Sequence, residues 1–71
     1  MGAIGTQEQL QALADAMMQL PEQERDAVVL RYHDGLTMMQ IGRVMGIGEE
    51  RAEGLVYDAV RKLWKLLGPK L

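Results

Sequence analysis

The fold is decided by residues 37–67, which read TMMQIGRVMGIGEERAEGLVYDAVRKLWKLL. Thr37 with Gln40 three residues later has the spacing of a helix capping box, and a short helix with one apolar face follows, carrying Ile41, Val44 and Met45. The turn Gly46-Ile-Gly48 ends that helix, with Ile47 free to enter the core. A longer helix follows, with its apolar residues three and four positions apart. This order predicts a helix-turn-helix, the geometry that places a second helix in the DNA major groove.

The longer helix has its own boundary signals. Gly68 is expected to end it in the left-handed conformation, and Pro69 forbids a further turn. The predicted inward side of this helix consists of Ala52, Leu55, Val56, Ala59, Val60, Leu63 and Leu67.

Composition limits the chain to a few classes of protein. The 71 residues, 48% of them hydrophobic, allow one small domain with one core. With no cysteine and a single histidine, the chain offers neither a disulfide framework nor a metal-ligand spacing, and we predict no cofactor. No apolar run approaches the roughly 20 residues that span a bilayer, so we expect a cytoplasmic protein without a membrane partner. A net charge of −2 is the wrong sign for a free-standing nucleic-acid binder.

Two further helices precede the helix-turn-helix. The first is predicted from Thr6 or Gln7 to Gln19, and the second from Pro21 to about His33, because proline suits the first turn of a helix. Residues 1–6 are interpreted as a disordered N-terminus or an expression remnant, and residues 7–68 as the domain. The expected buried residues are Leu10, Leu13, Met17 and Leu20 in the first helix and Ala27, Val28, Leu30 and Tyr32 in the second. The predicted fold class is all-α, a four-helix domain with a C-terminal helix-turn-helix.

These motifs resemble region 4 of bacterial sigma factors of the sigma-70 family. The resemblance rests on 20–25 (LPEQER), 28–32 (VVLRY), 34–37 (DGLT), Ile41-Gly42 and 45–47 (MGI), and it continues through Ala59 and 61–63 (RKL). It covers about residues 10–67. In that family the domain recognises the promoter −35 element, packs against the flap of RNA polymerase and is commonly captured by anti-sigma factors. The resemblance therefore implies a role in transcription initiation, with RNA polymerase core, promoter DNA and an anti-sigma factor as partners.

The resemblance also implies which residues face DNA. Positions matching Glu49, Arg51, Glu53 and Gly54 face DNA in the family, and Glu50 matches an acidic residue that can accept a hydrogen bond from a cytosine amino group. Thr37 matches a position near a phosphate, although its spacing to Gln40 is equally explained by a helix cap. The candidate DNA-binding residues are Arg31, Thr37, Glu50, Arg51, Glu53, Gly54 and Tyr57. Arg31 also has a structural interpretation, in which it ties the second helix to neighbouring acids or helix ends.

The charge of this helix opposes the DNA-binding hypothesis. Between Glu49 and Asp58 the chain carries four carboxylates against the single guanidinium of Arg51, a net charge of −3. Primary sigma factors carry arginines at the positions of Glu49 and Glu53, and cations are what phosphate contacts need. Two hypotheses follow: promoter recognition as part of a larger assembly, or a repurposed sigma-like module that binds an anti-sigma factor or polymerase and binds DNA weakly or not at all.

Candidate partner-binding residues come from apolar and basic side chains outside the predicted core. They are Met38, Met39, Trp64 and Lys65. Thioethers and aromatic rings are enriched at protein interfaces, although a small domain also leaves some apolar groups exposed. A third hypothesis is a helical dimer that uses Trp64, Leu66 and Leu67. No arrangement of residues indicates an enzyme.

Overall fold

The computed structural model describes residues 6–68, which form four α-helices and one π-helical segment and contain no strand. The helices are α1 (Gln7–Gln19), α2 (Glu22–Val28), α3 (Met38–Met45) and α4 (Glu49–Leu67), and the π-helical segment is Val29–His33. The predicted all-α fold with four helices is confirmed. The predicted disordered segment 1–6 lies outside the described residues, apart from Thr6, which caps α1.

α1 begins with a capping box and contacts the core through its C-terminal half. The Thr6 hydroxyl accepts a hydrogen bond from the Gln9 amide at 3.1 Å. Near the other end, Ala16 and Leu20 are buried. The prediction that Leu10 is buried is wrong, because its side chain is 52% exposed. Among the described residues, the core clusters include this part of the chain only from Met17 onward, and Leu10 belongs to neither cluster.

The second predicted helix changes type half-way along its length. After α2 the turns widen, and the Asp34 amide donates to the Val29 carbonyl at 3.1 Å, the i to i+5 pattern of a π-helix. Gly35, at φ +73°, then turns the chain. The prediction that Tyr32 is buried is wrong: the residue is 68% exposed, because it lies on an open groove that no described helix covers.

α3 and the turn after it have the predicted capping. The Thr37 hydroxyl accepts from the Gln40 amide at 3.1 Å, and the Gln40 side chain accepts from the Thr37 amide at 2.9 Å. Gly46 adopts φ +72° at the end of α3, and Ile47 packs partly buried against the core, as expected. Val44 was predicted to share the buried face but is 63% exposed. At 100° per residue, Val44 lies about 60° around the helix from Ile41, in the opposite direction from Met45.

α4 is the helix against which the others pack. One core cluster joins it to α2 and α3 through Ala27, Ile41, Ala52 and Val56, and a second joins it to α1 and α2 through Leu20, Val28 and Ala59. The alanines in these clusters let the helix backbones approach closely. The predicted left-handed cap at Gly68 is wrong, because the residue has φ −46° and ψ −52° and continues the right-handed turn. Pro69 lies outside the described residues.

A partly buried ion pair joins α2 to α4. The Lys62 ammonium lies 2.9 Å from Oε2 of Glu24, a residue only 8% exposed. The other carboxylate oxygen, Oε1, has no hydrogen-bond partner among the described residues. The pair links α2 to α4 between residues that are 38 positions apart in the chain.

Candidate nucleic-acid interface

α4 has one side in the core and the other in solvent. The packing of α2 and α3 on Ala52 and Val56 leaves the opposite side of the N-terminal half uncovered. We call this surface the reading face. It consists of Glu49, Glu50, Arg51, Glu53, Gly54 and Tyr57, all exposed. Five of the seven predicted DNA-binding residues therefore lie on the exposed part of the N-terminal half of α4: Glu50, Arg51, Glu53, Gly54 and Tyr57.

The first turn of α4 leaves backbone donors free for an anion. Gly48 is the N-cap in extended conformation and has no side chain to accept from the first amides. Such amides, together with the helix dipole, can bind a phosphate oxygen. Glu49 and Glu50 stand in the same turn and complement the dipole themselves. The helix end thus has the geometry for a phosphate contact, with carboxylates beside it.

Arg51 is the only cation among the residues of the reading face. Within residues 6–68 its guanidinium forms no ion pair, although Glu49, Glu50 and Glu53 are close in sequence. All five donors of the guanidinium are therefore available for bidentate contact with a phosphate or with a guanine edge. Tyr57, on the same face, is 64% exposed, and the Arg61 guanidinium lies 5.8 Å from the centre of its ring.

The two remaining DNA candidates lie elsewhere and have structural contacts. Thr37, exposed at the start of α3, uses its hydroxyl oxygen to cap that helix. The half-buried Arg31 donates from Nη1 to the Leu36 carbonyl at 2.9 Å, bracing the loop between the π-helical segment and α3. The structural interpretation of Arg31 as a residue that secures the end of its helix fits this contact.

The predicted partner-binding residues do not form one surface. Met38 is partly buried and packs against the core, whereas its neighbour Met39 is 50% exposed. Trp64 is 65% exposed on the C-terminal half of α4, next to the exposed Lys65. Of the four, only Trp64 and Lys65 are neighbours in the chain that are both exposed.

An open apolar groove is the feature that the sequence analysis missed. It runs between α1, the π-helical segment and α4, and its lining residues are Leu13, Met17, Val28, Val29, Tyr32, His33, Val60 and Leu63. Nearly all of the surface inside it is apolar. Its one sequence signal is the excess of apolar residues on three helices, because the groove lies where those helices do not meet.

Two kinds of site do not occur in residues 6–68. No three or more histidine, cysteine, aspartate or glutamate side chains there are grouped so that they could hold a metal ion. In the same residues, no helix has the length and apolar character needed to cross a membrane.

Comparison with protein families shows which family contains this helix-turn-helix domain. The family described as Sigma-70, region 4 matches residues 16–65, well over half of the chain. The chain belongs to this family. The matched residues include α3, the reading face and α4 as far as Lys65, so the resemblance noted from the sequence is confirmed.

The similar proteins are sigma factors from several bacteria. The chain is 43% identical over 56 residues to the ECF RNA polymerase sigma factor BldN of Streptomyces coelicolor, covering 79% of this chain and 21% of that protein. It is 46% identical over 52 residues to the RNA polymerase sigma factor FliA of Pseudomonas aeruginosa, covering 73% of this chain and 21% of that protein. The chain thus spans about a fifth of the length of these relatives. No solved structure matches it significantly. The family and these relatives support a role in transcription initiation.

Proposed function

We propose that this domain recognises a promoter −35 element through α4 and contacts RNA polymerase as the region 4 part of a sigma factor. The observation that carries the proposal is the uncovered N-terminal half of α4, with Arg51 free of ion pairs within residues 6–68. Family membership supports it. In this arrangement the first turns of α4 enter the major groove, Arg51 contacts a phosphate or a guanine, and the uncapped amides after Gly48 bind a second phosphate.

The contact between α4 and DNA is expected to be weak because the reading face carries a net negative charge. Glu49 and Glu53 would lie near phosphates without a described cation to pair with, and desolvating an unpaired carboxylate is costly. Glu50 can still accept a hydrogen bond from a cytosine amino group. Sequence preference therefore arises from a small number of base contacts, and the affinity needed at a promoter comes from simultaneous binding to polymerase.

The polymerase contact is assigned to the apolar groove. No residue of the reading face lines the groove, and its lining includes Met17, Val28, Leu63 and the exposed Tyr32. A partner helix with a matching apolar face would bury these side chains, as helix-in-groove complexes do. DNA and polymerase could then be bound at the same time.

A second candidate function is a protein-interaction module that does not bind DNA. The net charge of −3 between Glu49 and Asp58 favours it, because an acidic helix repels a duplex and suits a basic protein surface. Under this alternative the domain still binds polymerase or an anti-sigma factor.

The test titrates the domain into a fluorescent DNA duplex library with a randomised central segment, at low and at moderate salt. The −35 proposal predicts enrichment of particular sequences and binding that falls as salt rises. Arg51→Ala should abolish the enrichment, whereas the matched variant Arg51→Lys should keep the salt dependence and lose sequence preference. Absence of binding at low salt would exclude the first function.

Polymerase binding is measured separately with immobilised RNA polymerase core. Tyr32→Asp is expected to weaken binding, while Tyr57→Asp, an equally exposed tyrosine on the reading face, should leave it unchanged. Equal effects of the two substitutions would refute the assignment of the groove.

A further inference from the structure

An exposed stripe runs the length of α4. Its members are Glu50, Glu53, Gly54, Tyr57, Arg61, Trp64 and Lys65, all exposed. At 100° per residue they fall within an arc of about 120° on one side of the helix. We call this surface the α4 stripe. It includes the reading face in part, and it adds a C-terminal half that the proposed DNA contact does not use.

The α4 stripe is divided by charge. Its N-terminal half carries the carboxylates of Glu50 and Glu53, and its C-terminal half carries the cations of Arg61 and Lys65. Arg61 stays 65% exposed even though Asp58 lies 3.9 Å away, so its charge remains available. Lys62, which is engaged with Glu24, is not part of the stripe.

The α4 stripe has an aromatic side chain in its middle and another at its basic end. Tyr57 and Trp64 are 64% and 65% exposed, and no described element packs on either ring from another helix. Gly54 contributes no side chain, and a methyl group built there would meet nothing within 4 Å. The stripe therefore combines two exposed rings, a recess and two opposite charges on one helix face.

We propose that a second copy of this chain covers the α4 stripe, with the two α4 helices antiparallel. A two-fold axis near the middle of the stripe places the acidic half of each helix against the basic half of its partner. The rings of Tyr57 and Trp64 become buried between them, and the recess at Gly54 lets the helices approach. Opposed helix dipoles favour the same orientation.

Charge selects this arrangement over a parallel one. In a parallel pair Glu50 and Glu53 would face their own copies, and so would Arg61 and Lys65. Like charges brought together at a desolvated interface cost free energy, whereas the antiparallel pair converts both repulsions into attractions. The surface is thus complementary to itself.

Self-association has a consequence that rests on the proposed function. The dimer buries Glu53, Gly54 and Tyr57, which belong to the reading face, so a chain paired with its copy cannot place α4 in a DNA groove. Dimerisation and promoter binding therefore compete, and raising the protein concentration lowers the fraction that is able to bind DNA.

The experiment is sedimentation equilibrium of the whole chain over a range of concentrations, with emission from its single tryptophan recorded on the same samples. The apparent mass should rise from 7.9 kDa toward twice that value, and the Trp64 emission should shift to shorter wavelength as the ring is buried. Trp64→Ala should weaken association by about tenfold or more. Met18→Ala, which removes an apolar group of similar exposure from α1, is the matched control and should leave association unchanged.

Charge reversal identifies the partner surface. A basic variant, Glu50→Lys with Glu53→Lys, and an acidic variant, Arg61→Glu with Lys65→Glu, should each be monomeric alone and should form a mixed dimer when combined. Circular dichroism confirms that each variant is folded. A natural chain that stays monomeric at its highest soluble concentration, or association that persists in all of these variants, would overturn the proposal. Neither result bears on DNA binding, which is measured at concentrations where the chain is monomeric.

Discussion

Two glycines inside helices offer a paired test of the packing around the helix-turn-helix. Gly42 in α3 and Gly54 in α4 both have ordinary negative φ, and the structure gives them opposite surroundings. A methyl group added at Gly54 would enter open space. A methyl group added at Gly42 would lie 2.7 Å from the Ile47 carbonyl oxygen and 3.2 Å from the Gly48 carbonyl carbon. The same substitution by alanine should therefore have opposite effects.

The magnitudes follow from helix propensity and from this contact. Alanine is favoured over glycine within a helix by about 1 kcal/mol, so Gly54→Ala should raise the free energy of unfolding by about that amount. Gly42→Ala has the same gain in helix propensity, but its added methyl group must displace the turn from α3. The opposing atoms belong to the backbone and cannot rotate aside, and overpacking costs about 1–3 kcal/mol, with more in the tightest sites. The 2.7 Å approach to a backbone oxygen is closer than Cβ atoms come in folded proteins, so the cost lies in the upper part of that range. After the propensity gain is subtracted, we expect Gly42→Ala to be less stable than the natural chain by up to about 2 kcal/mol.

Urea unfolding followed by far-ultraviolet circular dichroism measures both variants. The midpoint should shift in opposite directions with little change in slope. In a domain of this size, each kilocalorie per mole corresponds to about 4–8 °C in Tm. A Gly42→Ala variant as stable as Gly54→Ala would refute the close approach of the turn to α3, and with it the tight helix-turn-helix that presents α4.

Three other substitutions test single contacts. Lys62→Met leaves the buried Glu24 carboxylate unpaired and should cost about 1–2 kcal/mol of unfolding free energy, less than a fully buried pair because Lys62 is half-exposed. Thr37→Ala removes the α3 cap and should cost about 1 kcal/mol. Arg31→Met removes the hydrogen bond to the Leu36 carbonyl and should cost about 1 kcal/mol, with no change in salt dependence of DNA binding. Urea midpoints measure all three.

Each of these substitutions has a control on the same chain. Lys65→Met removes an exposed cation without a described ion pair and should change stability by no more than about 0.5 kcal/mol. Thr37→Ser keeps the capping oxygen and should keep most of the stability. If Lys62→Met and Lys65→Met have equal effects, the ion pair to Glu24 does not contribute to stability. An altered salt slope in Arg31→Met would show that Arg31 contacts phosphate.

Local signals explain why most of the fold could be predicted. The capping pair Thr37 and Gln40, the turn at Gly46 and the apolar spacing of α4 each depend on residues a few positions apart, and all appear in the structure. Such patterns determine where helices begin and which side is apolar. The resemblance to sigma region 4 indicated Glu50 and Arg51 as surface residues, and the position of Tyr57 outside the apolar spacing indicated the same for it; all three are exposed.

The wrong burial predictions share a physical cause, which is the extent of neighbouring helices. Leu10, Tyr32 and Val44 are apolar and lie near apolar stripes, but whether they are buried depends on where another helix reaches. Periodicity describes a helix face and contains no information about what covers it. The groove bounded by Tyr32 was missed for the same reason.

Long-range contacts and unusual backbone conformations could not be predicted from local sequence patterns either. The Glu24–Lys62 pair joins residues 38 positions apart, and neither side chain has a local feature that selects the other. The π-helical segment at Val29–His33 changes the hydrogen-bond pattern without a glycine or proline inside it. The right-handed Gly68 shows that glycine after a helix permits the left-handed cap without requiring it.

The most direct test of the proposed function compares the natural chain with the double variant Glu49→Arg, Glu53→Arg in the DNA titration. The proposal predicts that the natural chain binds at low salt with a shallow salt dependence. The double variant should bind more tightly, with a salt slope steeper by about two phosphate contacts. Binding by the double variant together with none by the natural chain would contradict promoter recognition. It would show that the acidic reading face prevents DNA binding, and that the domain acts through protein partners.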